Sequence, residues 1–254
     1  MRTFALLIIT LTVLVVHVQS VDLELDMAEN SVDDQFVDCE EEKMLGPTLD
    51  TYPGHDEFAE SCKNQHDVNG CTALKLFTSD KMYKGKKLHK AFKQASRSGK
   101  ETYISKTYEW YSLYYYLKRA VQNVKNTQAG CKQTYRGTYS KFDKNVKGKE
   151  IRLGSFTSSS LVPAVAMRFG QDSCFEIQTC YGALISQYSV FPKQEEVLIP
   201  PYEVFKVTEV YRDSSKPDFK CKTVYVLKSI GTRSNINCYL LLPTPITASL
   251  QDKK

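Results

Sequence analysis

Apolar residues in the first half of the chain recur with the period of an α-helix. Leu88, Phe92 and Ala95 fall on one stripe, and Leu113 and Leu117 begin another. These stripes, with a shorter segment before them, predict three helices, at Asp56–Cys62, Lys84–Ser96 and Tyr111–Val124. Residues 21–129 are therefore predicted to be mainly helical, with loops between the helices.

After residue 130 the pattern changes to short β-prone runs separated by Gly, Pro and charged turns. The runs predict strands at Lys132–Arg136, Ile151–Thr157, Cys174–Thr179, Ala183–Tyr188, Val197–Ile199, Glu203–Tyr211, Thr223–Ser229 and Tyr239–Leu242. A short helix at Val162–Phe169 has proline in its first turn. Helices first and strands later predict an α+β fold with an antiparallel or mixed sheet, in a single domain over 21–242.

The two ends of the chain are predicted to lie outside that domain. Residues 1–20 combine a positive start, an apolar core and a small-residue site after Ser20, which is the pattern of a secretory signal peptide. Residues 243–254 are polar and broken by proline, unlike the hydrophobic tail of a glycolipid anchor signal. We therefore expect a secreted, extracellular protein without a membrane anchor.

The composition of the chain further restricts the class of protein that it can be. The 42% hydrophobic content suits a globular core, and a formal net charge of +5 is too mild to indicate nucleic-acid binding. Eight cysteines in an exported chain favour disulfides. No Cys-x-x-Cys pair occurs and the four histidines are scattered, so we expect no metal site.

Three short motifs bear groups suited to chemistry on a nucleotide. Thr134-Tyr-Arg-Gly137 offers the donor fork of Arg136 for a phosphate and a glycine that allows close backbone approach. Phe156 to Leu161 contains a run of serine hydroxyls, and Gln194-Glu-Glu196 precedes a buried apolar strand. On a regular strand Gln194 and Glu196 would share one face. Each motif alone is weak evidence.

In this order and spacing, the three motifs resemble the Arg–Ser–Glu signature of the vertebrate ecto-ADP-ribosyltransferases, the arginine-specific mono-ADP-ribosyltransferase family. The resemblance covers nearly the whole mature chain and includes Phe191-Pro-x-x-Glu-Glu-Val-Leu-Ile-Pro-Pro201. It implies a helical part followed by two packed small β-sheets, with NAD in the cleft between them. NAD+, or NADP+, would be a consumed substrate, and no permanently bound cofactor is expected.

The resemblance also implies roles for individual residues. Arg136, Ser158 and Glu196 would be the catalytic three, with Glu196 the catalytic carboxylate. The residues expected to contact NAD are Arg136, Gly137, Ser158, Ser189, Glu196 and Thr78. The partners implied are NAD+ and an extracellular acceptor protein or water, acting on a protein that we expect to be a monomer.

The resemblance further implies a disulfide pattern. It pairs Cys39 with Cys238 and Cys131 with Cys180. The remaining four cysteines are then assigned as Cys62–Cys71, which closes a short loop, and Cys174–Cys221, which would join two strands.

One position departs from the family pattern. Arginine-transferring members carry Glu-x-Glu, whereas this chain has Gln194 two residues before Glu196. An amide cannot offer a bidentate carboxylate to a guanidinium, so Gln194 is the acceptor-determining residue and favours NAD glycohydrolase activity or a non-arginine acceptor. The alternative is that Glu195 compensates through a bulge. A second alternative is a catalytically idle secreted binding protein on the same fold.

Overall fold

The structure is a computed structural model, and it describes residues 23–39, 48–212 and 219–238. The predicted signal peptide, the predicted strand Tyr239–Leu242 and the polar tail 243–254 lie outside the described residues. Within the described part, the chain forms a helical first half and a mainly β second half, as the hydrophobic pattern predicts.

The described residues of the first half form five helices and a small hairpin. The elements are α1 His55–Cys62, α2 Val68–Thr78, β1 Met82–Tyr83, β2 Lys86–Lys87, α3 Leu88–Arg97, α4 Lys100–Ile104 and α5 Tyr111–Asn126. The predicted helix Lys84–Ser96 is wrong at its start, because Lys84 and Gly85 form a turn with positive φ between β1 and β2. Helix α2 is buried on nearly every side, so its sequence has no amphipathic pattern and predicts no helix there.

In the described residues of the second half, the chain forms eight strands, one short helix and one 3-10 turn. The elements are β3 Lys132–Thr138, β4 Glu150–Arg152, β5 Thr157–Ser160, α6 Pro163–Met167, β6 Ser173–Thr179, β7 Ala183–Leu184, the turn Pro192–Gln194, β8 Glu196–Ile199, β9 Glu203–Arg212 and β10 Thr223–Thr232. The predicted strand Ile151–Thr157 is wrong, because Gly154, at φ +66°, interrupts it and separates β4 from β5. The predicted strand Ala183–Tyr188 stops at Leu184.

These strands form one mixed sheet of two unequal parts. The order is β4-β9-β10-β6-β3-β5-β8-β7, with β10 and β6 parallel and the other neighbours antiparallel. Between β3 and β5 only Tyr135 and Ser160 are paired. A five-stranded part and a three-stranded part therefore meet at a narrow joint, which is how the two expected small sheets occur in this chain.

An aromatic cluster attaches the three-stranded part to the helices. Phe156, two residues before Ser158, is fully buried and stacks on Phe92 of α3 with ring centroids 6.2 Å apart. Its ring also contacts Tyr114 of α5, at 5.4 Å. Because Phe156 sits just before β5, its burial fixes where that strand meets α3.

Covalent and ionic links secure both ends of the described chain. Disulfides join Cys39–Cys238 and Cys131–Cys180, the pairs that the family resemblance implies, and Cys62–Cys71 and Cys174–Cys221, the pairs assigned to the remaining cysteines. Asp33 forms a fully buried ion pair with Arg152 of β4 and accepts hydrogen bonds from the main-chain N–H groups of Asn235 and Ile236. The segment before α1 is therefore attached both to the sheet and to the chain's last described residues.

Candidate functional site

Glu196 is the first residue of β8, and its side chain is only 7% exposed. The residues before it do not extend the strand. Gln194 ends the 3-10 turn, and Glu195 adopts a left-handed conformation at φ 43°. The prediction that Gln194 and Glu196 share one face of a strand is therefore wrong, because the backbone turns between them.

The main chain at this turn is held by the last of the three serines. Ser160 donates a hydrogen bond from its hydroxyl to the Gln194 carbonyl, at 2.7 Å. Ser159 donates to the Val197 carbonyl, at 3.0 Å. Two of the three serines thus support the backbone on either side of Glu196, which leaves Ser158 as the serine available to the site.

Arg136 reaches the site from β3. Its Nη1 donates a hydrogen bond to the Ser158 carbonyl, at 2.8 Å, across the narrow joint of the sheet. The neighbouring Gly137 is required for packing, since a Cβ there would lie 2.3 Å from the Gly170 carbonyl oxygen and 2.6 Å from that of Ala166. The segment after α6 therefore lies directly against β3 beside Arg136.

Ser158 lies at the centre of the arrangement. Its hydroxyl interacts with the Glu196 carboxylate and accepts a hydrogen bond from Lys93 Nζ, at 3.2 Å. The structure thus brings together Arg136, Ser158 and Glu196, the three residues predicted to be catalytic, from three different strands.

The electrostatics of the cluster combine one buried carboxylate with several cations. Burial raises the pKa of Glu196, against the opposing effects of Ser158, Lys93 and Arg136. Burial lowers the pKa of Arg136 to about 10, with Arg97 adding to the effect. A site with this excess of positive charge favours an anionic ligand such as a pyrophosphate.

Ser189 and Thr78 both form hydrogen bonds with the loop that precedes β8. The Ser189 hydroxyl accepts a hydrogen bond from the Phe191 N–H, at 3.1 Å. Thr78, at the end of α2, donates to the Leu74 carbonyl and accepts from the Val190 N–H, at 3.2 Å. Both hydroxyls hold the loop before β8 in place, and their contact with NAD stays a prediction.

Lys93 of α3 is a site residue that the sequence does not predict. It is half-buried, next to the core residue Phe92, and one helical turn before Arg97. The sequence feature that could have indicated Lys93 is its spacing of four residues from Arg97, at the edge of an apolar helical stripe. Such a pair is more often a solvated helix face, and only the packing of α3 on β5 brings Lys93 to the site.

Comparison with known protein families agrees with the geometry of this site. A family model described as NAD:arginine ADP-ribosyltransferase matches residues 53–223. This chain belongs to that family.

Individual members of the family are also similar to this chain in sequence. Human ecto-ADP-ribosyltransferase 5 is 34% identical over 247 residues, which cover 86% of this chain and 81% of the human protein. NAD(P)(+)–arginine ADP-ribosyltransferase 2 of Gallus gallus is 38% identical over 158 residues, or 61% of this chain. The chain spans about half the length of that protein, 49%, and of other curated relatives that it matches.

Solved structures confirm the α+β fold. The eukaryotic mono-ADP-ribosyltransferase ART2.2 superimposes with a TM-score of 0.66 at 29% identity, covering 85% of this chain and 98% of that one. A variant of the same protein has been crystallised in complex with NAD.

Within the part of the chain that the structure describes, no helix combines the length and apolar character needed to cross a bilayer.

Proposed function

We propose that this family member is an NAD+-consuming mono-ADP-ribosyltransferase. It breaks the nicotinamide–ribose bond and transfers ADP-ribose to a protein side chain or to water. The observation that supports this best is the meeting of Arg136, Ser158 and Glu196, contributed by β3, β5 and β8, at one partly buried place. Relatives named NAD(P)(+)–arginine ADP-ribosyltransferases support the same reaction.

Glu196 is the proposed catalytic carboxylate. Breaking the nicotinamide–ribose bond develops an oxocarbenium-like ribose, as in glycoside hydrolysis. A carboxylate that faces the ribose stabilises this cation more than the neutral ground state, which is the condition for lowering the barrier. Nicotinamide leaves as a neutral molecule, so the reaction needs no general acid. One oriented carboxylate is therefore sufficient.

Arg136 and the residues around it are the proposed NAD-binding groups. The guanidinium carries further N–H donors besides the one given to Ser158, and a pyrophosphate can accept them. Gly137, Ser158, Ser189 and Thr78 are proposed to complete the contacts. Binding the phosphates beside Glu196 holds the ribose carbon where the carboxylate acts.

Gln194 is proposed to weaken arginine as an acceptor. A carboxylate at this position could grip a guanidinium with two parallel hydrogen bonds, whereas an amide cannot. Losing that charge-assisted pair is worth about 1.5–3 kcal/mol. Water needs no such grip, so we expect strong NAD glycohydrolase activity beside any transfer.

The proposed place of action is extracellular. Four disulfides bridge the described chain, and they persist in oxidising compartments. Relatives whose names mark them as ecto enzymes support the same location. The acceptor is then an extracellular protein or water, and the enzyme acts as a monomer.

One experiment tests the proposal. The purified disulfide-bonded protein is incubated with NAD+ or NADP+ labelled in the adenosine part, with and without an arginine analogue. Free nicotinamide, ADP-ribose and the labelled adduct are followed. Nicotinamide release, mostly with free ADP-ribose, is expected. Binding of NAD+ without release of nicotinamide would contradict the proposal and favour an idle binding protein.

A further inference from the structure

We propose that Lys93 is a positioning residue for nicotinamide–ribose cleavage, because its ammonium group holds the Ser158 hydroxyl so that the hydroxyl hydrogen is directed at Glu196. This inference rests on the proposed function of the site. It assigns the catalytic orientation of Ser158 to a helix residue that lies 65 positions earlier in the chain.

The position of Lys93 is fixed by three elements. The residue sits on α3, and its Nζ lies 3.2 Å from Ser158 Oγ on β5. The same Nζ lies 4.9 Å from the centroid of the Phe77 ring on α2. The preceding residue, Phe92, stacks on Phe156 two positions before Ser158. The contact between α3 and β5 therefore sets the distance between Lys93 and Ser158.

The direction of the hydrogen bonds follows from what each group can do. A lysine ammonium group only donates, and an ionised carboxylate only accepts. The Ser158 oxygen therefore accepts from Lys93, and its single hydrogen is left for Glu196. The Ser158 carbonyl is held at the same time by Arg136. Ser158 is thus fixed at both its main chain and its hydroxyl.

The charges that face Lys93 make this arrangement sensitive to pH. Arg97 and His89 lie one turn away on α3, Arg136 faces it from β3, and Glu196 faces it from β8. Burial first, then Arg136 and Arg97, lower the pKa of Lys93 to about 7, while Glu196 opposes them.

Loss of the Lys93 proton changes the hydrogen-bond pattern. A neutral amine can accept a hydrogen bond, so the Ser158 hydrogen can turn from Glu196 to Lys93 Nζ. We therefore expect kcat/KM for NAD cleavage to fall as the pH rises through the Lys93 pKa of the free enzyme. Glu196 must be ionised to face the ribosyl cation, and it sets the acidic limb of the same profile.

Two substitutions separate hydrogen-bond donation from charge. Lys93→Met keeps an unbranched apolar side chain beside Phe77 but cannot donate. It is expected to lower kcat about ten-fold with little change in KM, and to remove the basic limb of kcat/KM. Lys93→Gln supplies an uncharged donor that does not titrate. It is expected to recover most of the rate while still lacking the basic limb.

Lys90→Met is the matched control. Lys90 is exposed on the same helix, so the same change there should leave both the rate and the pH profile as in the parent. Thermal unfolding of all variants identifies any that fold poorly, and Lys93→Gln then carries the test if Lys93→Met is one of them.

The outcomes distinguish this inference from the proposed function. A parent protein that binds NAD+ without releasing nicotinamide contradicts the proposed function, and the role of Lys93 falls with it. If the parent is active and the Lys93→Met variant keeps both kcat and the basic limb of kcat/KM, the Lys93 inference is overturned and the proposed function stands. A rise in KM at unchanged kcat also overturns it, because Lys93 would then act as an NAD ligand.

Discussion

Glu196 and Glu203 are two buried carboxylates on β8 and β9, which follow each other in the chain but lie in different parts of the sheet, and their surroundings differ. Burial raises the pKa of both. Glu203 accepts hydrogen bonds from Thr179 Oγ1, at 2.5 Å, and from the N–H groups of Cys180 and Tyr181, at 2.7 and 3.3 Å. Glu196 interacts with the Ser158 hydroxyl, while the nearby cations Lys93 and Arg136 give hydrogen bonds to Ser158.

Burial and a raised pKa are common to both carboxylates, so the proposed catalytic role of Glu196 rests on the groups around it. Glu203 is surrounded by neutral donors, three of them from Thr179, Cys180 and Tyr181 beside the Cys131–Cys180 disulfide, and we expect this arrangement to stabilise the fold. Glu196 is surrounded by cations that attract an anionic ligand and by a hydroxyl that orients it. The donors around a carboxylate therefore distinguish the two roles, and the following variants test this distinction.

The largest effect is expected for Glu196→Gln. This change keeps the shape of the side chain and removes the charge that faces the ribosyl cation. NAD turnover should fall by at least about 100-fold, with a modest change in NAD binding. Nicotinamide release under saturating NAD+, together with a binding titration, measures both quantities.

Glu203→Gln is the matched control for that prediction. The same change at the second buried carboxylate should leave NAD turnover within a few-fold of the parent. If both variants lose activity equally, or if Glu196→Gln stays within a few-fold of the parent, the assignment of the two carboxylates is wrong.

Glu203→Met should reduce stability, with little effect on the chemistry. The methionine removes the acceptor of the buried Thr179 hydroxyl and of the part-buried N–H groups of Cys180 and Tyr181, which costs about 1–3 kcal/mol. Urea unfolding should show the loss, while kcat per folded molecule is retained. An unchanged unfolding midpoint would mean that the Glu203 hydrogen bonds contribute little to the fold.

Gln194→Glu should change the acceptor and leave bond cleavage largely intact. Ser160 holds the Gln194 main chain, so the side chain can be exchanged without disturbing the turn. Arginine-directed transfer should rise about ten-fold relative to hydrolysis, because a carboxylate can pair with a guanidinium. The ratio of arginine adduct to free ADP-ribose measures this change.

Glu195→Gln serves as the control for Gln194→Glu. Glu195 is exposed, and if it already compensates for Gln194, removing its charge will lower arginine transfer in the parent. A parent that transfers to arginine as fast as it hydrolyses NAD+, with no change in Gln194→Glu, would contradict the role of position 194.

The smallest expected effect is a pH-dependent difference in stability between the parent and Glu196→Gln. Because the folded-state pKa of Glu196 lies above its unfolded value, the folded state binds the proton more tightly. The stabilisation that this tighter proton binding gives to the folded state is complete below the unfolded-state pKa, about 4.3. It is lost as the pH rises through the folded-state pKa.

Relative to Glu196→Gln, the parent should therefore lose stability as the pH rises through this window. Urea unfolding of both proteins across the window measures the difference. A gap between the two midpoints that stays constant with pH would show that the folded-state pKa of Glu196 is not raised.

The sequence by itself determined the α+β class, the helices around 55–62 and 111–126, and the strand 197–199, because each follows a local pattern of apolar residues, a helical period or a short continuous run. The order of the three motifs also predicted the family. In contrast, α2 is buried on nearly all sides and has no period to detect. The turn that ends at Glu195 required a left-handed residue that no pattern indicated.

Only the tertiary structure decided which side chains meet. Arg136 and Ser158 are 22 residues apart, and Lys93 and Ser158 are 65 apart. Local periodicity records which face of an element is buried, but it carries no information on which element covers that face. The joint between β3 and β5, and the stacking of Phe92 on Phe156, bring these side chains to Glu196. Lys93 therefore became a site residue through long-range packing, which the local sequence around it does not encode.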